Sequence, residues 1–207
     1  MPLKFFYFDL GNVMVDFEVA QMLRQMGDVA GIEPAQVMAV VVDSGLQRQY
    51  ELGQLSPRQF YEGFCTQIGK RPDFDALMRA SNEIFSLNPA VAEVVRALHR
   101  SGYRLGILSN TCPNHWEYCV QQFPVLRECF AVHVLSYEVH ARKPDAAIFQ
   151  AAAELAGHAP HEIFFTDDIL EHVVGARAVG FDAVQHTSAP ELIAELEQRG
   201  IRVRCTS

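Results

Sequence analysis

The sequence is constrained most by short, unbroken apolar runs that each end in polar residues. The first of them is Phe5–Phe8. Two later runs, Tyr103–Leu108 and Glu162–Phe165, have the same form. Asp9 follows the first run, and Ser109 and Asn110 follow the second. The third run is followed by Thr166, Asp167 and Asp168. Continuous rather than alternating hydrophobicity is typical of strands covered on both faces, as in the middle of a parallel sheet. These runs therefore predict the central strands of such a sheet.

Helical patterns alternate with these strands along much of the chain. Weaker strand patterns occur at Ala131–Leu135 and Asp182–Gln185. Apolar periodicity between the strands predicts helices over Pro89–Arg100, Asn114–Gln122, Asp145–Ala156, Glu171–Val179 and Pro190–Arg199. Four of these helices are followed by a glycine, which is common just after a helix C-terminus. The alternation predicts an α/β fold with a Rossmann-like, doubly wound parallel sheet.

One segment interrupts the alternation. Between the first strand and Pro89 no further strand is evident, and the patterns predict helices over Glu18–Met26, Pro34–Ser44, Pro57–Ile68 and Phe74–Phe85. We therefore predict two units, a Rossmann-like catalytic core of residues 1–15 and 88–207 and an inserted all-helical cap of residues 16–87. Because the insertion leaves from the end of the first strand, the cap is expected over the carboxyl ends of the strands.

Composition and charge exclude several classes of partner. The chain has 207 residues, of which 49% are hydrophobic, so it can bury a substantial core. It carries 17 basic and 25 acidic residues, a formal charge of −8, and no basic run, so nucleic acid is not an expected partner. Apolar stretches such as Val37–Val42 are far shorter than the ~18 residues of a membrane-spanning helix. The N-terminus does not resemble a signal peptide, and no membrane partner is expected.

The cysteines indicate a reducing compartment. There are five, an odd number without CxxC spacing: Cys65, Cys112, Cys119, Cys129 and Cys205. This pattern predicts reduced, mostly buried thiols in a cytoplasmic protein.

The polar residues at the strand ends suit one chemical task. In open α/β sheets the ligand site lies at the carboxyl ends of the strands. Asp9, Asp167 and Asp168 would converge there, and converging carboxylates repel one another unless a cation lies between them. Oxygen ligands without histidine or cysteine favour Mg²⁺. Taken singly, each of these residues also has an ordinary interpretation as a helix cap or turn residue.

Two further side chains would complete a pocket for phosphate. Lys143 precedes Pro144 and the predicted helix that begins near Asp145, and Ser109 follows the second central strand. A lysine and a serine hydroxyl facing a metal would contact the remaining oxygens of a phosphate group. Asp9, partly removed from water and aimed at phosphorus, would then serve as a nucleophile. A small anionic substrate is compatible with a negative protein, because a site can be locally positive.

Four segments carry a resemblance to a known family. In chain order they read FYFDLGNVMVD, GILSNT, ARKPD and FFTDDILEHVVGA. Together they resemble the four motifs of the haloacid dehalogenase-like hydrolase superfamily, over essentially the whole chain and with the spacing of members whose helical cap follows the first strand. DLGNVMVD, YELGQLS and the SNT that precedes His115 and Trp116 resemble, more narrowly, the bacterial sugar phosphatases that include α-D-glucose-1-phosphate phosphatase.

The resemblance implies a role for each motif residue. Asp9 would attack phosphorus to form an aspartyl-phosphate, Ser109 and Asn110 would bind phosphate oxygens, and Lys143 would neutralise charge beside Asp9. Mg²⁺ would be held by three groups, the Asp9 carboxylate, the Gly11 carbonyl and the Asp168 carboxylate. Asp167 would be a ligand through water or a partner of the ligands. The implied substrate is a small phosphorylated metabolite, with a hexose 1-phosphate as the narrower expectation.

One position departs from the family pattern. Most phosphatases of the superfamily have a second aspartate two residues after the nucleophile as general acid and base, and Gly11 stands there. General acid–base catalysis is worth ~10²–10⁴-fold, so the difference matters. A good leaving group, such as the anomeric oxygen of a sugar 1-phosphate, would reduce the need for an acid. Alternatively Asp16, His115 or His172 would supply the proton, or the site would bind phosphate without turnover.

Two other functions therefore stay open at this point. The chain would be a non-catalytic, phosphate-binding regulatory protein if turnover were lost with the second aspartate. Metal-independent 2-haloacid dehalogenases of the same superfamily also lack that aspartate, although a metal-free site has little reason to assemble Asp167 beside Asp168. The sequence does not indicate an oligomeric state.

Overall fold

The fold is built on one five-stranded parallel sheet. The computed structural model describes residues 2–203. The strands are β1 (Phe5–Phe8), β2 (Val15–Phe17), β3 (Phe85–Leu87), β4 (Arg104–Ser109), β5 (Val132–Leu135), β6 (Ile163–Asp167) and β7 (Asp182–Gln185). The parallel sheet has the order β5-β4-β1-β6-β7, and β2 and β3 form a separate antiparallel pair. The predicted doubly wound sheet is confirmed, with the first strand at its centre.

The helices alternate with the strands of the sheet, except between β2 and β3. They are α1 (Val19–Ala30), α2 (Pro34–Met38), α3 (Leu46–Glu51), α4 (Pro57–Ile68), α5 (Phe74–Asn82), α6 (Pro89–Arg100), α7 (Pro113–Gln122), α8 (Val125–Glu128), α9 (Ser136–Val139), α10 (Ala146–Ala156), α11 (Leu170–Ala178) and α12 (Ala189–Gln198). A π-helical turn, Ala39–Asp43, continues α2, and a 3-10 turn, Pro160–Glu162, precedes β6.

The central strand is covered on both faces, as its continuous apolar run predicts. Phe6 and Phe8 point into a core that includes residues of α6, α7 and α12. Phe5 and Tyr7 point to the opposite face, where α10 and α11 pack. All four side chains are fully buried, and the Tyr7 hydroxyl donates a hydrogen bond to the Ala152 carbonyl at 2.9 Å.

The inserted helices form a unit with its own core. Met26, Phe64 and Leu77, from α1, α4 and α5, are among its buried side chains. Sequence signals set the helix limits: Ser56 caps α4 through a hydrogen bond from the Gln59 amide, and Asp73 caps α5 in the same way. The cap core also includes Cys112, in the loop after β4. The helices therefore lie at the carboxyl ends of the strands, as predicted.

One prediction in this region is wrong. The helix expected over Phe74–Phe85 ends at Asn82, and Phe85–Leu87 is strand β3. It pairs antiparallel with β2, with Val15 opposite Leu87, although no strand was expected before Pro89. Strands of three residues are too short to show a period, so sequence pattern does not detect them. The predicted unit boundaries at 15/16 and 87/88 fall within this ladder and stay a prediction.

The cap touches the core closely at Gly53. This glycine has a φ of +67°, and a Cβ there would lie 2.1 Å from the Tyr137 carbonyl oxygen. Beside it, Nδ1 of His140 lies 3.0 Å from the Leu52 carbonyl. Only a residue without a side chain allows this approach of the two backbones.

Other sequence expectations concern cysteines and membranes. Cys65, Cys112, Cys119 and Cys129 are free and buried, as predicted, and Cys205 lies outside the described residues. No helix within residues 2–203 is long and apolar enough to cross a membrane.

The contact at Gly53 leads to a stability prediction. Gly45 also has a positive φ, of +81°, but a Cβ there would meet nothing within 4 Å. We expect Gly45→Ala to lower the free energy of unfolding by about 1–2 kcal/mol through backbone strain alone. Gly53→Ala should lower it by a further 1–3 kcal/mol or so, because the methyl group must push the cap from the core. Urea unfolding of both variants measures the difference, and equal losses would show that the cap and core are not in tight contact at Gly53.

Candidate active site

Three polar side chains meet where the central strands end. The register pairs Phe8 of β1 with Ile107 of β4 and with Thr166 of β6. Asp9, the residue after β1, therefore lies level with Asp167, the last residue of β6. Ser109, the last residue of β4, lies one residue further along. The sequence-predicted residues Asp9, Ser109 and Asp167 are thus brought together by the parallel pairing of their strands.

Lys143 lies between the two carboxylates. Its Nζ donates to Oδ1 of Asp9 at 2.8 Å and to Oδ2 of Asp167 at 2.6 Å, and also to the Leu108 carbonyl at 3.0 Å. Asp9 is 7% exposed, Lys143 3% and Asp167 0%. Burying ion pairs in this way has a desolvation cost, which their mutual attraction and hydrogen bonds must offset. The side chains of the three residues therefore form one buried charge cluster, which we call the Asp9–Lys143–Asp167 cluster.

Asn110 holds the loop that carries Lys143. Its Nδ2 donates to the Lys143 carbonyl at 3.0 Å, and its Oδ1 accepts from the Lys143 amide at 2.8 Å. One side chain thus satisfies both backbone groups of the lysine. The predicted role of Asn110 in binding phosphate stays a prediction, and the structure gives this residue a positioning task as well.

The two aspartates differ in their protonation. Burial raises the pKa of Asp9 to about 6, against the opposing effect of Lys143. Burial acts in the same direction on Asp167, but Lys143 and the hydrogen bond from His172 outweigh it and lower its pKa to about 2. Burial lowers the pKa of Lys143, but the two carboxylates outweigh this effect and raise it, so the lysine is charged at neutral pH. Above pH 6 the cluster therefore has a net charge of −1.

The two oxygens of Asp9 have different surroundings. Its Oδ1 accepts from the Leu10 amide at 2.7 Å as well as from Lys143. In the part of the chain that the structure describes, no hydrogen bond is made to Oδ2. The carboxylate is thus fixed through one oxygen, and the other is available for chemistry.

Asp167 uses both of its oxygens within the protein. Its Oδ1 accepts from the Ile169 amide at 2.9 Å, and Nδ1 of His172 lies 3.0 Å away. Lys143 occupies Oδ2. Asp167 therefore positions Lys143 and the start of α11 rather than presenting a free oxygen to the cleft.

The donors at the strand ends fit a hard cation. Asp9, Gly11, Asn12 and Asp168 line one cleft of about 230 Å³ together with Ser109 and Asn110. Asp168 is half-buried, and its Oδ2 accepts from Nδ2 of Asn12 at 3.1 Å. Ligand atoms of Asp9, Asp167 and His172 also lie within 4.8 Å of one another, but this group includes an imidazole and does not contain Asp168. Carboxylate and carbonyl oxygens beside a cluster of net charge −1 are the surroundings that Mg²⁺ prefers.

Phe17 fills the place of the missing acid. A Cβ on Gly11 would lie 2.7 Å from Cε1 of the Phe17 ring. An aspartate at this position would displace that ring. The departure from the family pattern is therefore accompanied by an apolar side chain in the space that the general acid would enter.

The three alternative proton donors lie in different surroundings. Asp16 is exposed on β2 and does not line the cleft. His172 lines the cleft and contacts Asp167. His115 packs edge-on against Phe85, and burial lowers its pKa to about 4, so it is uncharged at neutral pH. Which of them supplies a proton stays a prediction.

Sequence reasoning missed an ion pair beside the cleft. Nη2 of Arg142 lies 2.9 Å from Oε2 of Glu51, on α3 of the cap, and both residues line the cleft. Arg142 directly precedes Lys143 within the ARKPD segment, so its position next to a predicted site residue could have identified it. Its distance in sequence from Glu51 meant that the pair itself could not be predicted.

Comparisons with known proteins agree with this arrangement. The family model of the haloacid dehalogenase-like hydrolases matches residues 3–180. A sesquiterpene phosphatase of Aspergillus oryzae is 24% identical over 92% of this chain and 93% of its own. A phosphatase of Mycobacterium tuberculosis is 30% identical over 53% of this chain and 51% of its own, so this match spans about half of that relative. An enzyme of the family from Bacteroides thetaiotaomicron, solved with magnesium and inorganic phosphate, has a TM-score of 0.81 and 25% identity, covering 89% of this chain and 94% of its own.

The raised pKa of Asp9 leads to a pH-dependent stability prediction. The folded state holds a proton on Asp9 up to about pH 6, whereas the unfolded state releases it near pH 4. Ionisation of Asp9 therefore destabilises the metal-free protein as pH rises from 4 to 6. We expect Asp9→Asn to raise the free energy of unfolding by about 1–3 kcal/mol at pH 7.5, and by little at pH 4.

Urea unfolding in excess chelator at the two pH values measures this effect. Asp43→Asn, the same change at an exposed position of the cap, is the matched control and should show no such pH dependence. A less stable Asp9→Asn variant at pH 7.5 would show that ionised Asp9 stabilises the fold, which is the opposite of what its raised pKa predicts.

Proposed function

The chain belongs to the haloacid dehalogenase-like hydrolases, and from that premise we propose that it is a Mg²⁺-dependent phosphatase of small phosphomonoesters that acts through Asp9. The observation that carries the proposal is the Asp9–Lys143–Asp167 cluster at the strand ends, because it fixes one oxygen of a buried carboxylate and leaves the other available. The named phosphatases among its relatives support the same chemistry.

Asp9 is the proposed nucleophile. Its Oδ2 forms a bond to phosphorus while the bond from phosphorus to the ester oxygen breaks. The ester oxygen leaves with the electron pair of that bond and takes a proton from water, which gives the alcohol. Lys143 keeps Oδ1 in place at 2.8 Å and counters the charge of the carboxylate. Water then attacks phosphorus of the aspartyl-phosphate, which regenerates the Asp9 carboxylate and releases inorganic phosphate.

The neighbouring residues would hold the phosphoryl group. Ser109 lines the cleft together with Asp9, and its hydroxyl is proposed to donate to a phosphate oxygen. Asn110 is proposed to act at the same group, in addition to fixing Lys143. Phosphoryl transfer depends mainly on positioning and electrostatic stabilisation, and rigid donors of this kind supply both.

The metal site is proposed at Asp9, the Gly11 carbonyl and Asp168, with Asp167 as a partner of these ligands. When bound, Mg²⁺ would neutralise the developing charge on the phosphoryl oxygens. The Bacteroides thetaiotaomicron enzyme solved with magnesium and phosphate supports this choice of ion. The net charge of the metal-free cluster supports it independently.

The alcohol part of the ester was expected from sequence to be a sugar. A hexose 1-phosphate has a relatively good leaving group, which would offset the glycine at position 11. This expectation depends on the resemblance to sugar phosphatases and stays a prediction.

Activity measurements test the proposal. With Mg²⁺ and a panel of phosphomonoesters, we expect phosphate release that excess chelator abolishes. Asp9→Asn should lower kcat by roughly 10⁴-fold or more, because it removes the nucleophile. Asp43→Asn should stay within about threefold of wild type, since exposed positions away from the site have small effects.

Each alternative function gives a different result. Equal inactivity of wild type and Asp9→Asn on all esters, with phosphate still bound, would indicate a non-catalytic phosphate-binding protein. Halide release from a 2-haloacid in chelator would indicate a dehalogenase. Phosphatase activity that persists in chelator would refute the metal assignment.

A further inference from the structure

A second cavity adjoins the phosphate cleft beneath the cap. It measures about 160 Å³ and shares Gly11, Ser109 and Asn110 with the cleft. A phosphate held beside Asp9 would therefore lie next to this cavity. We call it the cap cavity, and its position beside the cleft makes it a candidate space for the alcohol part of the substrate.

The walls of the cap cavity are mostly apolar. Phe17 and Phe85 come from the paired strands β2 and β3, and Met22, Val42 and Ile84 come from the cap. The Phe17 ring is also the group that fills the space beside Gly11. An alcohol group in this cavity would thus contact aromatic and aliphatic carbon.

Most of the polar side chains of the cavity have partners within the protein. Nε2 of Gln47 donates to Oε1 of Glu51 at 3.1 Å, and Oε2 of Glu51 pairs with Arg142 at 2.9 Å. His115 faces the Phe85 ring and is uncharged at neutral pH. A polyol placed here would lose water from several hydroxyls with few partners to replace it, and each unpaired hydroxyl costs binding affinity.

The size of the cavity limits the alcohol. A cavity of ~150 Å³ lined by aliphatic and aromatic side chains holds a benzene ring. The cap cavity therefore admits about six to eight carbons. Val19 and Val42 line it while 43% and 40% exposed, and an apolar alcohol would cover them.

From these observations we propose that the preferred substrates are phosphomonoesters of apolar alcohols, alkyl or aryl, of about six to eight carbons. This inference rests on the proposed phosphatase function and names its substrate class. It replaces the hexose with an alcohol that the cap cavity can desolvate without loss of hydrogen bonds.

A series of straight-chain esters tests it. Ethyl, butyl and hexyl phosphate have leaving groups of nearly equal basicity, so differences in kcat/KM report burial of the chain. We expect kcat/KM to rise two- to fourfold per methylene. A flat series would overturn the inference while leaving the phosphatase function in place.

A matched pair of variants locates the effect. Val42→Asn places a polar, uncharged side chain in the cavity wall, and Leu155→Asn makes the equivalent change at a surface position that is 51% exposed. We expect Val42→Asn to lower the hexyl-to-ethyl ratio of kcat/KM by about fivefold or more. Leu155→Asn should leave the ratio unchanged. An equal ratio in wild type and both variants would show that the alkyl chain of the ester does not bind in this cavity.

Binding to Asp9→Asn separates this inference from the phosphatase proposal. Calorimetric titration with hexyl phosphate, ethyl phosphate and glucose 1-phosphate needs no turnover. Tighter binding of hexyl phosphate than of the other two by tenfold or more supports the apolar class, even if no ester is hydrolysed by wild type. Tighter binding of glucose 1-phosphate overturns it.

Discussion

The buried ion pairs of Lys143 are the interaction on which the site depends. One ammonium group satisfies two carboxylates from neighbouring strands, and all three side chains are removed from water. Removing the lysine would leave two buried carboxylates without a compensating charge, which is strongly unfavourable. The fold meets this requirement through parallel strands, which bring Asp9 and Asp167 to one edge, and through Asn110, which fixes the lysine backbone.

The same electrostatics connect structure to chemistry. The metal-free cluster has an excess of one negative charge above pH 6, and this charge both destabilises the protein and attracts a cation. A carboxylate whose pKa is raised by burial is also a more reactive nucleophile once it is ionised, because little water must be displaced from it. The ionised Asp9 thus lowers the stability of the metal-free protein, and it forms part of a site that a metal and a phosphate would complete.

Much of this was visible in the sequence, because burial leaves a pattern. The run Phe5–Phe8 predicted a strand covered on both faces, and the chain places its side chains in two different cores. Asp9 and Asp167 were identified from their positions at strand ends, and Lys143 from its place before Pro144 and the helix that follows. Their grouping was expected because the ligand site of an open α/β sheet lies at the carboxyl ends of its strands.

Other features had no local signal. The β2–β3 pair consists of two segments of three residues, one before and one after the helices of the cap. Arg142 and Glu51 pair although they are distant in sequence. The position of the Phe17 ring beside Gly11 is not part of the family motifs, so the motifs did not predict it. The cap cavity likewise depends on side chains from several elements.

The central claim, that Asp9 carries the phosphoryl group, is tested most directly by acid-quenched mass spectrometry during turnover. We predict one phosphoryl group on the peptide that contains Asp9. Phosphate release with that peptide unmodified and another residue labelled would contradict the claim.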